Sequence, residues 1–302
     1  MISGENLRGI FVPVINPCDE DDNFLEDKFR ANISGLFDAG VHGLYVNGGT
    51  GDNFRIQMDE RIHSAEIAVE IAKNRRRKVI VHVGGPTPRD AVSLAEHAAS
   101  VGADAVASMP PSYLSAGELR EYYRALASAS GLSAVVYYFP NYTHVRSTLA
   151  ELLELLSIPG VVGMKVSDWN IFIVKQLKAE IPDVILYNGF DEMLGLGLMY
   201  GCDGGIGTWS NMLPEAYVSI YEAAIREDWS EVLRLQNELS RLFVYINKNG
   251  IMAGMKALAR GMEIAPACVR APHDNAGDFT LEQTEEICAI ARDIISKTIP
   301  RA

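Results

Sequence analysis

The sequence predicts an α/β fold, a closed (β/α)8 barrel of the TIM type with additional helices at its C-terminus. Three observations support this prediction. Eight short apolar runs recur through the first two thirds of the chain, stretches of helical periodicity separate them, and only helical patterns follow Trp209. The runs do not alternate apolar with polar residues, so both of their faces are expected to be buried, as in a parallel sheet.

The eight apolar runs end in glycine, proline or polar residues, at spacings near those of β-α units. In chain order they cover residues 9–14, 43–47, 79–83, 105–109, 134–139, 161–165, 184–188 and 204–208. An open doubly wound sheet is the alternative fold. It requires a glycine-rich phosphate loop after the first strand, and Pro13-Val14-Ile15-Asn16-Pro17 is not such a loop.

Helical periodicity is clearest over 25–39, 89–100, 118–130 and 148–157. Beyond Trp209, the segments 214–227, 229–247, 251–262 and 281–296 all have helical patterns, with no strand between them. This is about one helical layer more than a minimal barrel requires. We therefore predict a barrel domain over residues 1–228 and a helical extension over 229–302. The segment 265–279, which contains Pro266, Pro272 and Gly277, is predicted to be irregular.

Composition excludes several classes of function. The 302 residues are 48% hydrophobic and 22% charged, and their net charge of −12 argues against a general affinity for nucleic acid or an anionic membrane. The four cysteines have no C-x-x-C spacing, which favours free thiols in a reducing compartment. No apolar leader or bilayer-spanning segment is present, so we expect a cytoplasmic protein. The six histidines are scattered without the spacing of a metal site.

Lys165 is the most informative residue, because it closes the buried sixth run, Val161-Val162-Gly163-Met164-Lys165. Desolvating an ammonium group is costly, so burial favours the neutral amine. A neutral amine can attack a ketone and form a Schiff base. The alternative is a strand-end lysine whose amine extends to solvent.

Other strands also end in groups suited to binding a small acid. The second is followed by Gly48-Gly49-Thr50-Gly51-Asp52, whose backbone N–H groups and hydroxyl suit a carboxylate; a plain glycine turn is the alternative. The fifth ends in Tyr137-Tyr138-Phe139-Pro140. Alternation places Tyr137 and Phe139 on one face, so at most one of the two tyrosines faces the lumen, either as a proton-transferring phenol or as a core residue.

The last two strands carry candidate contacts to sugar hydroxyls. Asp191 and Glu192 follow the seventh strand, and Thr208 follows the eighth. Acids at the beginning of a helix, and a threonine that caps one, are the alternative interpretations.

In order and spacing, four motifs resemble those of the dihydrodipicolinate synthase/N-acetylneuraminate lyase family, the class I pyruvate-dependent aldolases. They are Gly48-Gly49-Thr50-Gly51-Asp52, Tyr137-Tyr138-Phe139-Pro140, Gly163-Met164-Lys165 and Val269-Arg270-Ala271-Pro272. The resemblance covers nearly the whole chain. It implies a TIM barrel with a three-helix C-terminal extension, usually assembled as a homotetramer. It also implies no cofactor beyond the Schiff base that Lys165 forms with pyruvate or another 2-oxo acid.

The resemblance also assigns roles to residues near the lysine. Tyr137 would pass protons and touch the pyruvyl carboxylate, which Gly49, through its backbone, and Thr50 would bind. Ser167 matches a threonine placed near the reacting hydroxyl. Tyr113, in Pro110-Pro111-Ser112-Tyr113, matches a tyrosine that inserts into a neighbouring subunit's site.

The motifs favour the lyase branch of this family. The synthase branch carries an arginine where Tyr142 stands here. The segments around Asn188 and Gly204 resemble the lyase branch instead, in which Gly189, Asp191, Glu192 and Thr208 would bind the sugar chain. The chain departs from the usual family residues at four positions: Gly49 for Ser or Thr, Asp52 for Glu, Tyr138 for Asn and Ser112 for Tyr.

The predicted function is therefore cleavage of a 2-oxo sugar acid, such as N-acetylneuraminate, to pyruvate and an aldehyde. A 2-keto-3-deoxy sugar acid aldolase or dehydratase, or a synthase-like condensation of pyruvate with an aldehyde, would use the same Schiff base. The alternative from a different class of function is a sensor or structural protein whose barrel binds a 2-oxo acid without turnover.

Overall fold

A computed structural model describes residues 7–265 and 279–298 of the chain. The motif Val269-Arg270-Ala271-Pro272, Cys268, His273 and nearly all of the predicted irregular segment 265–279 lie outside the described residues. Cys18, Cys202 and Cys288 are buried free thiols.

Eight parallel strands form a closed barrel in the order β1 to β8, which confirms the predicted fold class and excludes the open sheet. The strands are β1 (Gly9–Pro13), β2 (Gly43–Val46), β3 (Lys78–His82), β4 (Ala105–Ser108), β5 (Ser133–Tyr138), β6 (Val161–Val166), β7 (Ile185–Asn188) and β8 (Gly204–Gly205). They lie within about two residues of the predicted runs, except that β8 ends after only two residues. The chain beyond it forms a 3-10 turn, Thr208–Asn211.

Helices separate the strands and follow the last of them. They are α1 (Glu26–Asp38), α2 (Met58–Arg75), α3 (Pro88–Val101), α4 (Ala116–Ser130), α5 (Pro140–Thr143), α6 (Leu149–Leu156), α7 (Phe172–Glu180), α8 (Leu194–Tyr200), α9 (Pro214–Ile225), α10 (Trp229–Asn249), α11 (Ile251–Gly261) and α12 (Leu281–Thr298). Four of these, α2, α5, α7 and α8, were not among the predicted segments. Helix α8 is hard to predict because two of its seven residues are glycines, which disfavour helix.

The register of the strands places Lys165 of β6 beside Tyr137 of β5 and Tyr187 of β7. Inside the barrel, one buried cluster fills the lumen: Leu7, Phe11, Tyr45, Ile80, Ala105, Ala107, Val135, Ile185, Tyr187 and Ile206. A larger apolar cluster packs the outer faces of the strands against the helices. Because the lumen is filled below the lysine, a ligand has access only from the carboxyl ends of the strands.

The C-terminal helices are in contact with the barrel and with one another. Helix α10 begins after Asp228, whose side chain accepts a hydrogen bond from the Glu231 N–H. In the middle of α10, the Gln236 amide accepts from the Gly195 N–H at 2.8 Å and donates to the Asp191 carbonyl at 3.2 Å. Helix α10 therefore holds the loop that follows β7. The domain boundary at residues 228 and 229 stays a prediction.

Candidate active site

Lys165 lies in the lumen near the carboxyl end of β6, and its residue is 6% exposed. Its Nζ atom is 4.1 Å from the centre of the Tyr137 ring and 5.1 Å from the centre of the Tyr45 ring. Among the described residues, no carboxylate or hydrogen-bond acceptor pairs with this amine. The side chain therefore does not extend to bulk solvent, and the amine faces two aromatic rings.

Gly189 makes room for the lysine and for Ser167. A Cβ atom at Gly189 would lie 2.0 Å from Ser167 Oγ and 3.1 Å from Lys165 Cε. Ser167 is buried, and its N–H donates to the Tyr138 carbonyl at 2.9 Å. Its hydroxyl makes no hydrogen bond within the described part of the chain and lies at the junction of β6 and the β7 loop, beside the lysine side chain.

The two tyrosines of β5 lie on opposite faces, as alternation predicts. Tyr138 belongs to the outer apolar cluster, whereas the Tyr137 ring contacts the Lys165 amine inside the barrel. Burial raises the pKa of Tyr138. Phe139 stacks on Tyr137 with a ring separation of 5.8 Å and an interplanar angle of 14°.

The loop after β2 forms a 3-10 turn, Gly49–Gly51. Gly49 and Thr50 begin this turn, so their N–H groups have no partner inside it. The Thr50 hydroxyl lies 2.8 Å from the hydroxyl of Thr208, which follows β8. Asp52, with φ of 63°, pairs with Arg55 at 2.5 Å and ends the turn. Two predicted ligand residues, 158 positions apart in sequence, are thus in direct contact.

Asp191 is buried and engaged within the protein. Its carboxylate accepts from the Thr208 N–H at 3.0 Å, the Trp209 N–H at 3.3 Å and the Tyr217 hydroxyl. Burial raises its pKa to about 7, although the Tyr217 hydrogen bond acts in the opposite direction. In these contacts Asp191 holds the chain after β8 in place, and Thr208 with it.

Glu192 and Tyr113 differ from Asp191 in their surroundings. Glu192 is half-buried, and its carboxylate has no hydrogen bond or ion pair to any residue in the ranges described. Tyr113 is 66% exposed, and its hydroxyl donates to the Pro86 carbonyl at 3.3 Å. The structure therefore brings together Lys165, Tyr137, Ser167 and Gly189, and separately Thr50 and Thr208. Tyr113 joins neither group, since its hydroxyl bonds to Pro86 in the loop after β3.

Two lumen residues near the lysine, Tyr45 and His82, were not among the predicted site residues. His82, at the end of β3, lies 6.3 Å from the Tyr137 ring and 5.9 Å from the Tyr45 ring. The Met109 N–H donates to its Nε2 at 2.9 Å, and burial, with the charges of Arg61 and Lys165, holds its pKa well below the usual value. His82 is therefore a neutral wall residue. The sequence feature that could have identified His82 as a site residue is its position near the end of the third apolar run.

Within residues 7–265 and 279–298, no group of three or more His, Cys, Asp or Glu side chains is arranged to hold a metal ion. None of the helices described there has the length and apolar character needed to cross a membrane.

Comparisons with known proteins agree with this geometry. The profile of the Dihydrodipicolinate synthetase family matches residues 6–291. N-acetylneuraminate lyase from Escherichia coli is 33% identical over 297 residues, which cover 97% of this chain and 98% of that protein. The structure of CdNal from Clostridium difficile, in complex with mannosamine, has a TM-score of 0.85 and 28% identity, and covers 97% of this chain and 99% of its own. N-acetylneuraminate lyase from Fusobacterium nucleatum, complexed with pyruvate, has a TM-score of 0.86 and 26% identity, with 98% of each chain covered.

Proposed function

This chain belongs to the dihydrodipicolinate synthetase family, and we propose that it is a Schiff-base aldolase that cleaves N-acetylneuraminate to pyruvate and an aldehyde. Family membership confirms the resemblance found in the sequence motifs. The observation that carries the proposal is a single buried amine, Lys165, at the carboxyl end of a closed barrel and in contact with a phenol ring.

Catalysis begins when the neutral Lys165 amine attacks the ketone carbon of the substrate. Loss of water gives an iminium, which withdraws electrons from the chain of the substrate. The rings of Tyr137 and Tyr45 support this step, since they surround the amine without offering it a carboxylate partner. The reaction needs no metal or organic cofactor, because the iminium is the electron sink.

Cleavage requires removal of the proton from the C4 hydroxyl. We assign this transfer to Tyr137 together with Ser167, whose free hydroxyl lies beside the lysine. The C3–C4 bond then breaks, the aldehyde leaves, and the enamine that remains takes a proton at C3. Hydrolysis of the iminium releases pyruvate and restores the amine.

Two loops bind the rest of the substrate in this proposal. The N–H groups of Gly49 and Thr50, which have no partner inside their turn, form a site for the carboxylate, and the Thr50 hydroxyl adds a donor. Gly189, Glu192 and Thr208 contact the sugar chain. Asp191 belongs to the same site, and its hydrogen bonds to the chain after β8 support a contribution through the placement of Thr208.

We further propose that the enzyme is a cytoplasmic homotetramer. The exposed position of Tyr113 supports a role in which its ring enters the site of a neighbouring copy. Sedimentation analysis of the wild type and of Tyr113→Ala tests this proposal. A wild-type monomer with full activity would contradict it.

The Schiff base is tested by borohydride reduction in the presence of pyruvate, followed by peptide mass spectrometry. We expect one pyruvyl adduct, on Lys165, and none in Lys165→Ala. Lys175→Ala, which removes an exposed lysine of α7, is the matched control and should trap pyruvate like the wild type. Absence of the adduct from the wild type would refute the proposal.

A pyruvate-release panel separates the candidate substrates. N-acetylneuraminate is expected to be cleaved with the highest kcat/KM among several 2-keto-3-deoxy sugar acids. Release of pyruvate only from the latter would instead identify a 2-keto-3-deoxy sugar acid aldolase. Trapping of pyruvate without turnover of any partner would identify the non-catalytic binding barrel.

A further inference from the structure

We propose that the aldehyde subsite has an aromatic wall, and that the enzyme accepts aldehydes bearing a flat aromatic ring in addition to sugar aldehydes. The proposal rests on the Schiff base proposed above, because the wall begins at the lysine. Its basis is a continuous set of six rings at the mouth of the barrel.

Four of the rings form a stacked column from the lumen to the surface. Tyr137 and Phe139 are separated by 5.8 Å at 14°, Phe139 and Tyr142 by 5.6 Å at 22°, and Tyr142 and Phe54 by 6.2 Å at 7°. The first of these rings contacts the Lys165 amine. The column therefore follows the path that a substrate takes from the mouth to the reacting atom.

Two further rings extend the wall toward the β7 loop. Phe190 meets Phe139 edge to face at 5.8 Å, and Trp169 lies against Phe190 at 4.5 Å. Phe190 directly follows Gly189, whose missing side chain leaves space for the lysine. Five of the six rings thus lie on β5 or in the segments after β5, β6 and β7, on the side of the barrel that carries Lys165. The sixth, Phe54, reaches Tyr142 from the segment after β2.

The hydroxyl groups of Thr50 and Thr208 lie on the β1 side of the mouth, opposite β5. Thr50 follows β2 and Thr208 follows β8, the two strands that flank β1, and β5 is opposite β1 in the closed order. An aldehyde attached through the enamine therefore has a polar side, with the two threonines, and an apolar side, with the rings on β5 and in the segments after β5, β6 and β7. Sugar hydroxyls suit the first side, and an aromatic ring suits the second.

The outer rings are unusually exposed for their size. Phe54, Tyr142 and Trp169 are 47%, 54% and 58% exposed, so the wall continues into solvent with apolar area that a ligand can cover. Arg146, the cation that follows α5 in the sequence, pairs with the buried Asp168 at 2.7 Å. The wall itself carries no charge, so a second carboxylate on the aldehyde would find no partner there.

The additional reaction is an aldol addition. C3 of the enamine on Lys165 forms a bond to the aldehyde carbon, and the aldehyde oxygen takes up a proton to become the C4 hydroxyl. Water then hydrolyses the iminium, which releases a 4-aryl-4-hydroxy-2-oxobutanoate and the free amine. Pyruvate and the aromatic aldehyde are the only reactants, and no oxidant or reductant takes part.

The test measures aldol addition of pyruvate to benzaldehyde and to glyceraldehyde by chromatography, for the wild type, Phe139→Leu, Phe190→Leu and Phe172→Leu. Phe172 is the matched control, since it is exposed on α7 and has no ring contact to another aromatic residue in the described ranges. We expect the wild type to form both products. In Phe139→Leu and Phe190→Leu, the ratio of kcat/KM for benzaldehyde to that for glyceraldehyde should fall about tenfold, the effect of losing one favourable ring contact.

The outcomes separate this proposal from the proposed function. If pyruvate is trapped on Lys165 but the wild type does not consume benzaldehyde, the aromatic wall has no such role and the aldolase assignment stands. An unchanged ratio in both wall variants, or an equal fall in Phe172→Leu, would also overturn the inference. If pyruvate is not trapped at all, the proposed function fails and this inference fails with it.

Discussion

Replacement of Gly189 by alanine tests whether the geometry around the lysine is as tight as the structure indicates. The new Cβ would lie 2.0 Å from Ser167 Oγ, 3.0 Å from the Val166 carbonyl oxygen and 3.1 Å from Lys165 Cε. Favourable contacts between heavy atoms occur near about 3.5–4.0 Å, so the Ser167 contact is short by more than about 1 Å. Gly189 does not have a positive φ, so the effect comes from the added atom and not from backbone strain.

The size of the effect follows from overpacking of a rigid site. The Ser167 backbone is held by the Tyr138 carbonyl, so its hydroxyl must rotate or β6 must shift. Overpacking of this kind costs about 1–3 kcal/mol, which corresponds to a fall in Tm of roughly 2–12 °C. If Lys165 forms the proposed Schiff base, its displacement by about 1 Å should lower the rate of pyruvate trapping on the order of 10²-fold.

Both quantities are measured directly, by thermal unfolding and by the rate of borohydride trapping with pyruvate. Gly35→Ala is the matched control: a Cβ at Gly35, in α1, meets nothing within 4 Å, and its Tm should stay equal or rise. In the double variant Gly189→Ala, Ser167→Ala, the closest collision is removed, and part of the Tm should return. A Gly189→Ala protein that melts and traps pyruvate like the wild type would refute the reasoning.

Three further predictions concern the proposed proton relay, a buried acid and helix α10. Tyr137→Phe should slow pyruvate release by about 10²- to 10⁴-fold, and an unchanged rate would remove this phenol from the relay. Burial raises the Asp191 pKa from 3.8 to about 7, so the folded chain holds a proton that the unfolded chain has released between these values. Its contribution, at most about 4 kcal/mol, is present in full below pH 3.8 and is lost as the pH rises through about 7. The Tm of the wild type should therefore fall between pH 5 and 8 relative to Asp191→Asn, and parallel Tm curves would contradict this. Gln236→Leu removes one hydrogen bond to Asp191 in the loop after β7 and one from Gly195 in α8, and should raise KM for the sugar acid with a smaller change in the Tm. An unchanged KM would show that α10 does not position the loop.

The strands and the central lysine were predictable because their signals are local. Apolar runs without alternation indicate a parallel sheet buried on both faces. Successive side chains of a strand point to opposite faces, which separates Tyr137 from Tyr138. Lys165 stands out by the same logic, since an amine at the end of a buried strand has few structural explanations. The motifs added the family, which the comparisons confirm.

Helix α8 shows where local signals fail. Gly195 and Gly197 disfavour helix in isolation, yet a Cβ at either would meet Val232 or Asn188 at less than 3 Å. The glycines permit close packing against α10 and β7, and that packing forms only when the barrel closes. A prediction made from each segment separately cannot include the free energy of this packing.

By itself the sequence determined the barrel, the order of its elements and the burial of Lys165 at the end of β6, because periodicity and burial are encoded within a few residues of one another. Only the tertiary structure decided which side chains share the mouth: Thr50 with Thr208, Asp191 with Tyr217, and Phe54 with Tyr142. Each of these pairs joins different β-α loops or elements. Their contacts depend on closure of the sheet, which brings distant strand ends together and leaves no mark in the spacing of the residues.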